Sequence, residues 1–247
     1  MPVSESVPPK GACAGFCSHG RLLERGVPHG VTFRSLGDMK AQAARAEACR
    51  AAGVGEPLLL RQRHGTTVLE GTAPFGSGEP PPIGDGWVSF QTGVTLGVFA
   101  ADCLPIFLWD EESLEAVGVF HSGWRGTAAG MPRAAVEAFS SRGVAPRRLA
   151  GFIGPHVGAC CYRVGPELED RFRPGSFLRK PEGLFLDLAA EAAAQLREAG
   201  VGADRIEVSA DCTSCRSDLY FSFRREKQDR RMLAFIMKPY PPAGRML

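Results

Sequence analysis

Between Gly86 and His121 four apolar runs follow one another with no helical segment between them: GWVSFQ, VTLGVFA, LPIFLWD and EAVGVFH. Their enrichment in Val, Ile and Phe favours strands over helices. Strand after strand without an intervening helix is incompatible with the strict alternation of a doubly wound parallel sheet. The rest of the chain is equally irregular. VPHGVTFR (27–34), PLLLRQ (57–62), TTVLEG (66–71), LAGFIG (149–154), RIEVSA (205–210), LYFSF (219–223) and RMLAFIMK (231–238) read as strands. Helices are expected at 38–54 behind an Asp38 cap, at 127–143, at 165–172 with proline in the first turn, and at 186–200 between an Asp187 cap and Gly200. This pattern predicts an α+β fold in which helices sheathe mixed sheets. There is no repeat and no dividing linker, so residues 13–247 are expected to form a single domain behind a loose, polar 1–12.

Composition narrows the function. The formal charge of +2 on 247 residues gives no reason to expect a nucleic acid or an anionic membrane as partner. No signal peptide and no apolar run near the roughly 20 residues of a membrane span is visible, which suggests a cytoplasmic protein with reduced thiols. The eight cysteines are therefore not read as a disulfide frame. Cys212-Thr-Ser-Cys215 has CxxC spacing, yet without a second pair or a flanking histidine it argues poorly for structural zinc. The vicinal Cys160-Cys161 reads as two buried small hydrophobes.

Chemistry gathers where the apolar runs are interrupted. His64-Gly65, Asp102-Cys103 and His121-Ser122-Gly123 all stand at strand ends beside turns, where sites assemble in α/β architectures. One thiolate and two imidazoles make a three-ligand zinc set with an open fourth position. The same trio also fits a metal-free nucleophilic pair, with Cys103 attacking and His121 as base, or three unrelated residues. Asp102 is the adjacent carboxylate for moving a proton; its plainer role is a hydrogen bond at the strand break. Gly123-Trp-Arg-Gly-Thr127 is a glycine-rich entry to a helix, where Arg125 and the turn at Gly126 suit an anion, while Thr127 reads as an N-cap. His156 is expected to be an exposed loop histidine. Of the arginines in Phe-Arg224-Arg225 and Arg230-Arg231, Arg224 follows an alternating aromatic run, so one of that pair is expected to face inward.

These stretches together resemble a known family. QRHGTTV resembles its QVHG segment; DGWVS, AADCLPIFLWD and HSGWRGTAAG resemble its DA(L/W)VT, TADCLPV and HAGWRG segments. IGPHVGACCYRVG resembles IGPxIGxxCYEVG, and DCTSCRSDLYFSFRREKQDRRMLAFI resembles the CT…FFSYRRDxxTGRM ending. This is the laccase-domain, multicopper polyphenol oxidase-like family, whose members are regarded as purine nucleoside phosphorylases with adenosine deaminase activity. The resemblance covers about residues 27–238. It implies a layered α/β/β/α fold and zinc held by His64, Cys103 and His121. The implied reactions are phosphorolysis of adenosine, inosine and methylthioadenosine, and deamination of adenosine. On that reading Asp102, Cys103, His121 and Arg125 are catalytic, and Arg34, Arg125, Gly126 and Arg224 contact substrate or phosphate. The chain departs from the pattern after Arg34, where SLGDMK stands for a longer SLNLG segment. It departs again at Asp229-Arg230-Arg231 for TGR and at Arg163 for a glutamate. A multicopper cluster needs about ten histidines, given the preference of Cu(II) for imidazole, and this chain has five.

Overall fold

The computed structural model describes residues 12–13, 15–72 and 80–241. The expected loose N-terminus falls almost wholly outside them, as do residues 73–79 and 242–247. In chain order the strands are β1 (Ala12–Cys13), β2 (Phe16–Cys17), β3 (His29–Thr32), β4 (Val68–Glu70), β5 (Gly86–Ser89), β6 (Thr95–Ala100) and β7 (Leu104–Asp110). They continue as β8 (Val117–Ser122), β9 (Leu149–Ile153), β10 (Arg163–Val164), β11 (Phe177–Lys180), β12 (Gly183–Leu186), β13 (Ile206–Val208) and β14 (Met232–Met237). The helices are α1 (Gly20–Glu24), α2 (Gln42–Ala51), α3 (Trp124–Ala128), α4 (Met131–Ser140), α5 (Leu188–Glu198) and α6 (Phe223–Glu226).

One sheet has the order β1-β2-β3-β14-β6 and is antiparallel throughout. A second has the order β13-β9-β7-β8-β5-β4, antiparallel at its centre with a parallel pair at each edge. A small antiparallel sheet, β10-β12-β11, stands apart.

Burial on both faces explains the continuous apolar runs. Leu104, Ile106 and Leu108 of β7 face α4 and α5, where they meet Val136, Phe139, Ala192 and Leu196. Phe107 and Trp109 point the other way, into a core shared with Val98 of β6 and Ala234 and Ile236 of β14. In β14 the alternate residues Leu233 and Phe235 turn outward onto Met39 and Ala48 at α2. The layers are therefore α2, sheet, sheet, and α4 with α5, the expected α/β/β/α sandwich. Side chains alternate between the two faces at every step along a strand, so a strand covered on both sides must be apolar throughout.

Several local expectations are corrected. LYFSF is not a strand: Ser222 accepts a hydrogen bond from the Arg225 backbone and starts the short helix α6. PLLLRQ makes only isolated bridges, Leu58 to Leu96 and Arg61 to Ile83. The 127–143 helix is two helices, broken at Gly130, whose φ of 95° is left-handed. Residues 166–171 form a 3-10 helix rather than an α-helix. Asp187 caps α5 as expected, accepting from Ala190 at 2.8 Å. Asp38 does not cap α2 but holds the Arg231 backbone at 3.0 Å. Among the described residues no helix is long and apolar enough to cross a membrane.

Candidate metal centre and cavity

Strand register brings the three interrupted runs to one point. In the β7–β8 ladder Leu104 opposes Ser122 and Pro105 opposes His121. Cys103, one residue before β7, therefore sits beside the end of β8. The parallel β4–β5 pair carries the turn at His64 to the same edge. The donor atoms of His64, Cys103 and His121 all lie within 4.8 Å of one another, and the two imidazoles meet edge to face at 4.7 Å. Zn–N and Zn–S bonds of about 2.0–2.3 Å put tetrahedral ligand atoms about 3.5 Å apart, so small side-chain shifts suffice to close on one ion.

Other features fit a metal there. A Cβ on Gly123 would lie 2.9 Å from both Cys103 Sγ and His64 Cδ2, so the turn after β8 has room for the three ligands only as glycine. The remaining histidines are engaged elsewhere: His19 Nε2 with Glu207, His29 Nδ1 with the Val27 carbonyl, His156 Nδ1 with the Gly154 carbonyl. Two imidazoles and one thiolate match a single zinc and leave no histidines for a copper cluster.

The organising residue is Asp85, to which the sequence reading gave no role. It is 1% exposed. Its carboxylate accepts from His121 Nδ1 at 2.9 Å and from the backbone N–H groups of Arg63, His64 and Gly65 at 3.1, 2.8 and 2.8 Å. One side chain thus fixes the His64 turn and pins the His121 tautomer, leaving Nε2 for the metal. Burial pushes the Asp85 carboxyl upward, but the His121 and backbone donors hold it below the usual carboxylate range. The one sequence signal was its place immediately before β5 in GDGWVS.

Without a metal the pair Cys103–His121 is polar. Burial pushes the Cys103 thiol up, yet His121 and His64 bring it down to about 6. Burial pushes His121 down, yet the Cys103 sulfur and Asp85 raise it to about 9. The favoured state is thiolate beside imidazolium.

The ligands form the floor of a cavity of about 650 Å³. Leu60, Phe99, Val157, Tyr162 and Phe223 supply its apolar walls, and Arg224 and Lys227, with Lys40 and Arg231 paired to Asp229, its mostly basic rim. Arg224 faces inward as expected, over the Tyr162 ring at 5.2 Å, with its guanidinium on the Arg163 carbonyl at 2.7 Å. Asp102 lies in the wall; its carboxylate accepts from Thr213 Oγ1 and from the Arg224 backbone, both at 2.6 Å. Arg34, Arg125 and Gly126 do not line the cavity. Arg34 is committed to the Ser217 carbonyl and Glu226, at 2.7 and 2.9 Å. Arg125 is exposed and stacks on Trp124. A Cβ on Gly126 would meet the Gly65 carbonyl oxygen at 3.0 Å, which makes that glycine a packing requirement. Thr127 is not a cap: Gly123 holds that position, and Thr127 is buried against Ser122 at 2.8 Å. His156 is buried, not exposed, and Cys160 is exposed rather than a buried hydrophobe.

The chain is similar to known proteins over most of its described length. Residues 34–239 match the family model described as multi-copper polyphenol oxidoreductase laccase. The chain is 40% identical over 162 residues to the purine nucleoside phosphorylase YlmD of Geobacillus stearothermophilus, covering 62% of this chain and 59% of that protein. It is 35% identical over 149 residues to the adenosine deaminase RL5 of an unknown prokaryotic organism, 57% of this chain and 56% of that one. The crystal structure of YlmD from Geobacillus stearothermophilus superposes with a TM-score of 0.79 at 30% identity, over 87% of this chain and 93% of that one.

Proposed function

This chain belongs to the multi-copper polyphenol oxidoreductase laccase family, and from that footing we propose that it is a zinc-dependent purine nucleoside enzyme. Its reactions are phosphorolysis of adenosine, inosine and methylthioadenosine, and deamination of adenosine. The observation that carries this reading is the joining of a His–Cys–His floor to apolar walls and a basic rim in one cavity. The names of the relatives support the substrate class.

The residues divide the work. Phe99, Tyr162 and Phe223 offer surfaces on which a purine base stacks. Arg224, Lys227, Arg231 and Lys40 hold phosphate by charge and hydrogen bonds. In this the rim takes the anion-binding role that Arg34 and the Arg125–Gly126 turn were expected to fill. Zinc held by His64, Cys103 and His121 would supply Lewis acidity and a lowered pKa for water at its open position. In deamination Asp102 takes the proton from the attacking water and returns it to the departing amino group, which leaves as ammonia. In phosphorolysis the rim orients a phosphate oxygen toward the ribose anomeric carbon as the purine leaves. Asp85 acts only through His121 and the His64 turn, so it is a positioning residue. A cytoplasmic setting suits both the reduced thiols and the substrates.

Incubating the protein with adenosine, with and without phosphate, tests the reading. Adenine with ribose 1-phosphate, or inosine, is expected. Cys103→Ala should lose the zinc of the His64–Cys103–His121 centre and with it most of the turnover. Zinc still bound at the His64–Cys103–His121 centre in that variant would remove Cys103 from the ligand set. Absence of product from zinc-loaded protein would leave a silent zinc-binding fold. The thiolate–imidazolium pair favours one second reading, a metal-free cysteine hydrolase, for which activity in zinc-free protein would have to vanish on thiol alkylation.

A further inference from the structure

Four cysteines outside the cavity converge on a second point. Cys160 and Cys161 lie in the loop between β9 and β10; Cys212 and Cys215 follow β13. All four thiols are free, and their sulfur atoms lie within 4.8 Å of one another. Cys215 Sγ is 3.6 Å from Cys160 Sγ and 3.4 Å from Cys161 Sγ. A disulfide needs about 2.05 Å. Sulfur atoms around one tetrahedral zinc, with Zn–S bonds of about 2.3 Å, stand about 3.8 Å apart. The observed spacing matches the second case. We propose that Cys160, Cys161, Cys212 and Cys215 form a tetrathiolate site for a structural zinc ion, separate from the His64–Cys103–His121 centre.

The backbone is built for it. The Gly158 N–H donates to Cys212 Sγ at 3.2 Å, as thiolate ligands commonly require to spread their charge. A Cβ at Gly158 would press on Cys160 Sγ at 3.3 Å and Cys212 Cβ at 3.4 Å. Two tight turns, Cys161 N–H to the Gly158 carbonyl and Cys215 N–H to the Cys212 carbonyl, present the thiols inward to each other. Four sulfur ligands select zinc, Cu(I) or iron–sulfur chemistry. A cluster of several irons bridged by sulfide would hold its cysteine pairs farther apart than these, which favours one ion. In the sequence the CxxC of Cys212 and Cys215 has no second pair beside it. That pair is Cys160-Cys161, supplied from 51 residues upstream of Cys212 by the parallel bridge between His156 and Cys212.

The site ties together two segments that shape the cavity. Val157 and Tyr162 flank the first cysteine pair and line the cavity wall. Thr213, inside the CxxC turn, donates to Asp102 beside the catalytic thiol. An ion here fixes both segments and, through Thr213, the Asp102 carboxylate.

Protein purified anaerobically, wild type and Cys103→Ala, is assayed for zinc per chain. The Cys103→Ala variant isolates the new site whatever becomes of the nucleoside assignment. It should retain one zinc per chain, and Co(II) exchanged into it should show intense thiolate-to-cobalt charge-transfer absorption. Stripping that zinc should lower the melting temperature by several degrees. Cys160→Ser with Cys215→Ser should bind one zinc fewer than wild type. Metal-free Cys103→Ala protein with no cobalt–thiolate band overturns the proposal, as does a disulfide among the four cysteines in protein never exposed to air. Iron in place of zinc overturns the choice of metal. The cobalt spectrum stands even if the double variant fails to fold.

Discussion

At the scale of single residues, the centre is set by a few side chains in unusual places. His64 and Asp102 both adopt left-handed backbone, with φ of 59° and 89°. Such strain in non-glycine residues persists where surrounding contacts hold it. For His64 those contacts are the Asp85 carboxylate, and for Asp102 they are Thr213 and the Arg224 backbone. Replacing Asp85 with Asn keeps the shape but removes acceptor capacity from the His121 contact. Zinc affinity at the His–Cys–His centre should fall about 10–100-fold, read by competition with a chromophoric chelator in protein that still unfolds cooperatively. Unchanged affinity would show that His121 needs no such partner. In metal-free protein the lowered Cys103 thiol gives a second outcome. A thiolate exists above its pKa, so alkylation of Cys103 should be half-maximal near pH 6, where an ordinary cysteine, near about 8.5, is almost unreactive. A midpoint above pH 8 would mean that the imidazoles do not act on the sulfur.

At the scale of elements, the end of β8 does most of the positioning. It ends on His121 and Ser122, then turns at Gly123 into α3. The glycine is needed for space rather than for dihedral freedom, since its φ is an ordinary −78°. Gly123→Ala would drive a methyl against Cys103 Sγ and His64 Cδ2, each at 2.9 Å. The expected result is loss of zinc at this centre with little change in global melting, because the clash falls at the cavity floor rather than in the core. Normal zinc occupancy in that variant would mean the ligands have more room than the turn allows. The sequence foresaw the run ending on an imidazole but misread neighbouring elements. LYFSF has the alternating aromatics of a strand, yet Tyr220 is buried with its hydroxyl donating to Asp211 at 2.8 Å. Ser222 then caps a helix. The tertiary partner at Asp211 and the local cap overrode a β pattern only five residues long.

At the scale of the whole molecule, two sheets packed face to face supply the rigid frame. Phe107 is fully buried between them and stacks on Phe152 with ring centroids 5.8 Å apart. Phe107→Ala should cost about 3–5 kcal/mol, measured as a shift of the denaturant midpoint at unchanged slope. A loss under about 1 kcal/mol would mean that the core collapses to fill the space. Mixed sheets sheathed by helices were legible because strands buried on both faces must be apolar at every position, a constraint that acts along the chain; the α/β/β/α order of the layers was implied only by the family resemblance. The candidate metal ligands His64, Cys103 and His121 were legible as a group because all three stand where apolar runs end, although the same residues also fitted a metal-free nucleophilic pair or no site at all. Asp85, the basic rim of Lys40, Lys227 and Arg231, and the pairing of two cysteine dipeptide-scale motifs were not legible. Each depends on loops meeting across tens of residues, and no local pattern records which turns a sheet register will set side by side. The sequence alone determined the strand-rich architecture and singled out the candidate metal-binding side chains, because burial and ligand chemistry are properties of residues. Only the tertiary structure decided which groups orient those ligands and where charge gathers around them, because those are properties of distances the chain closes when it folds.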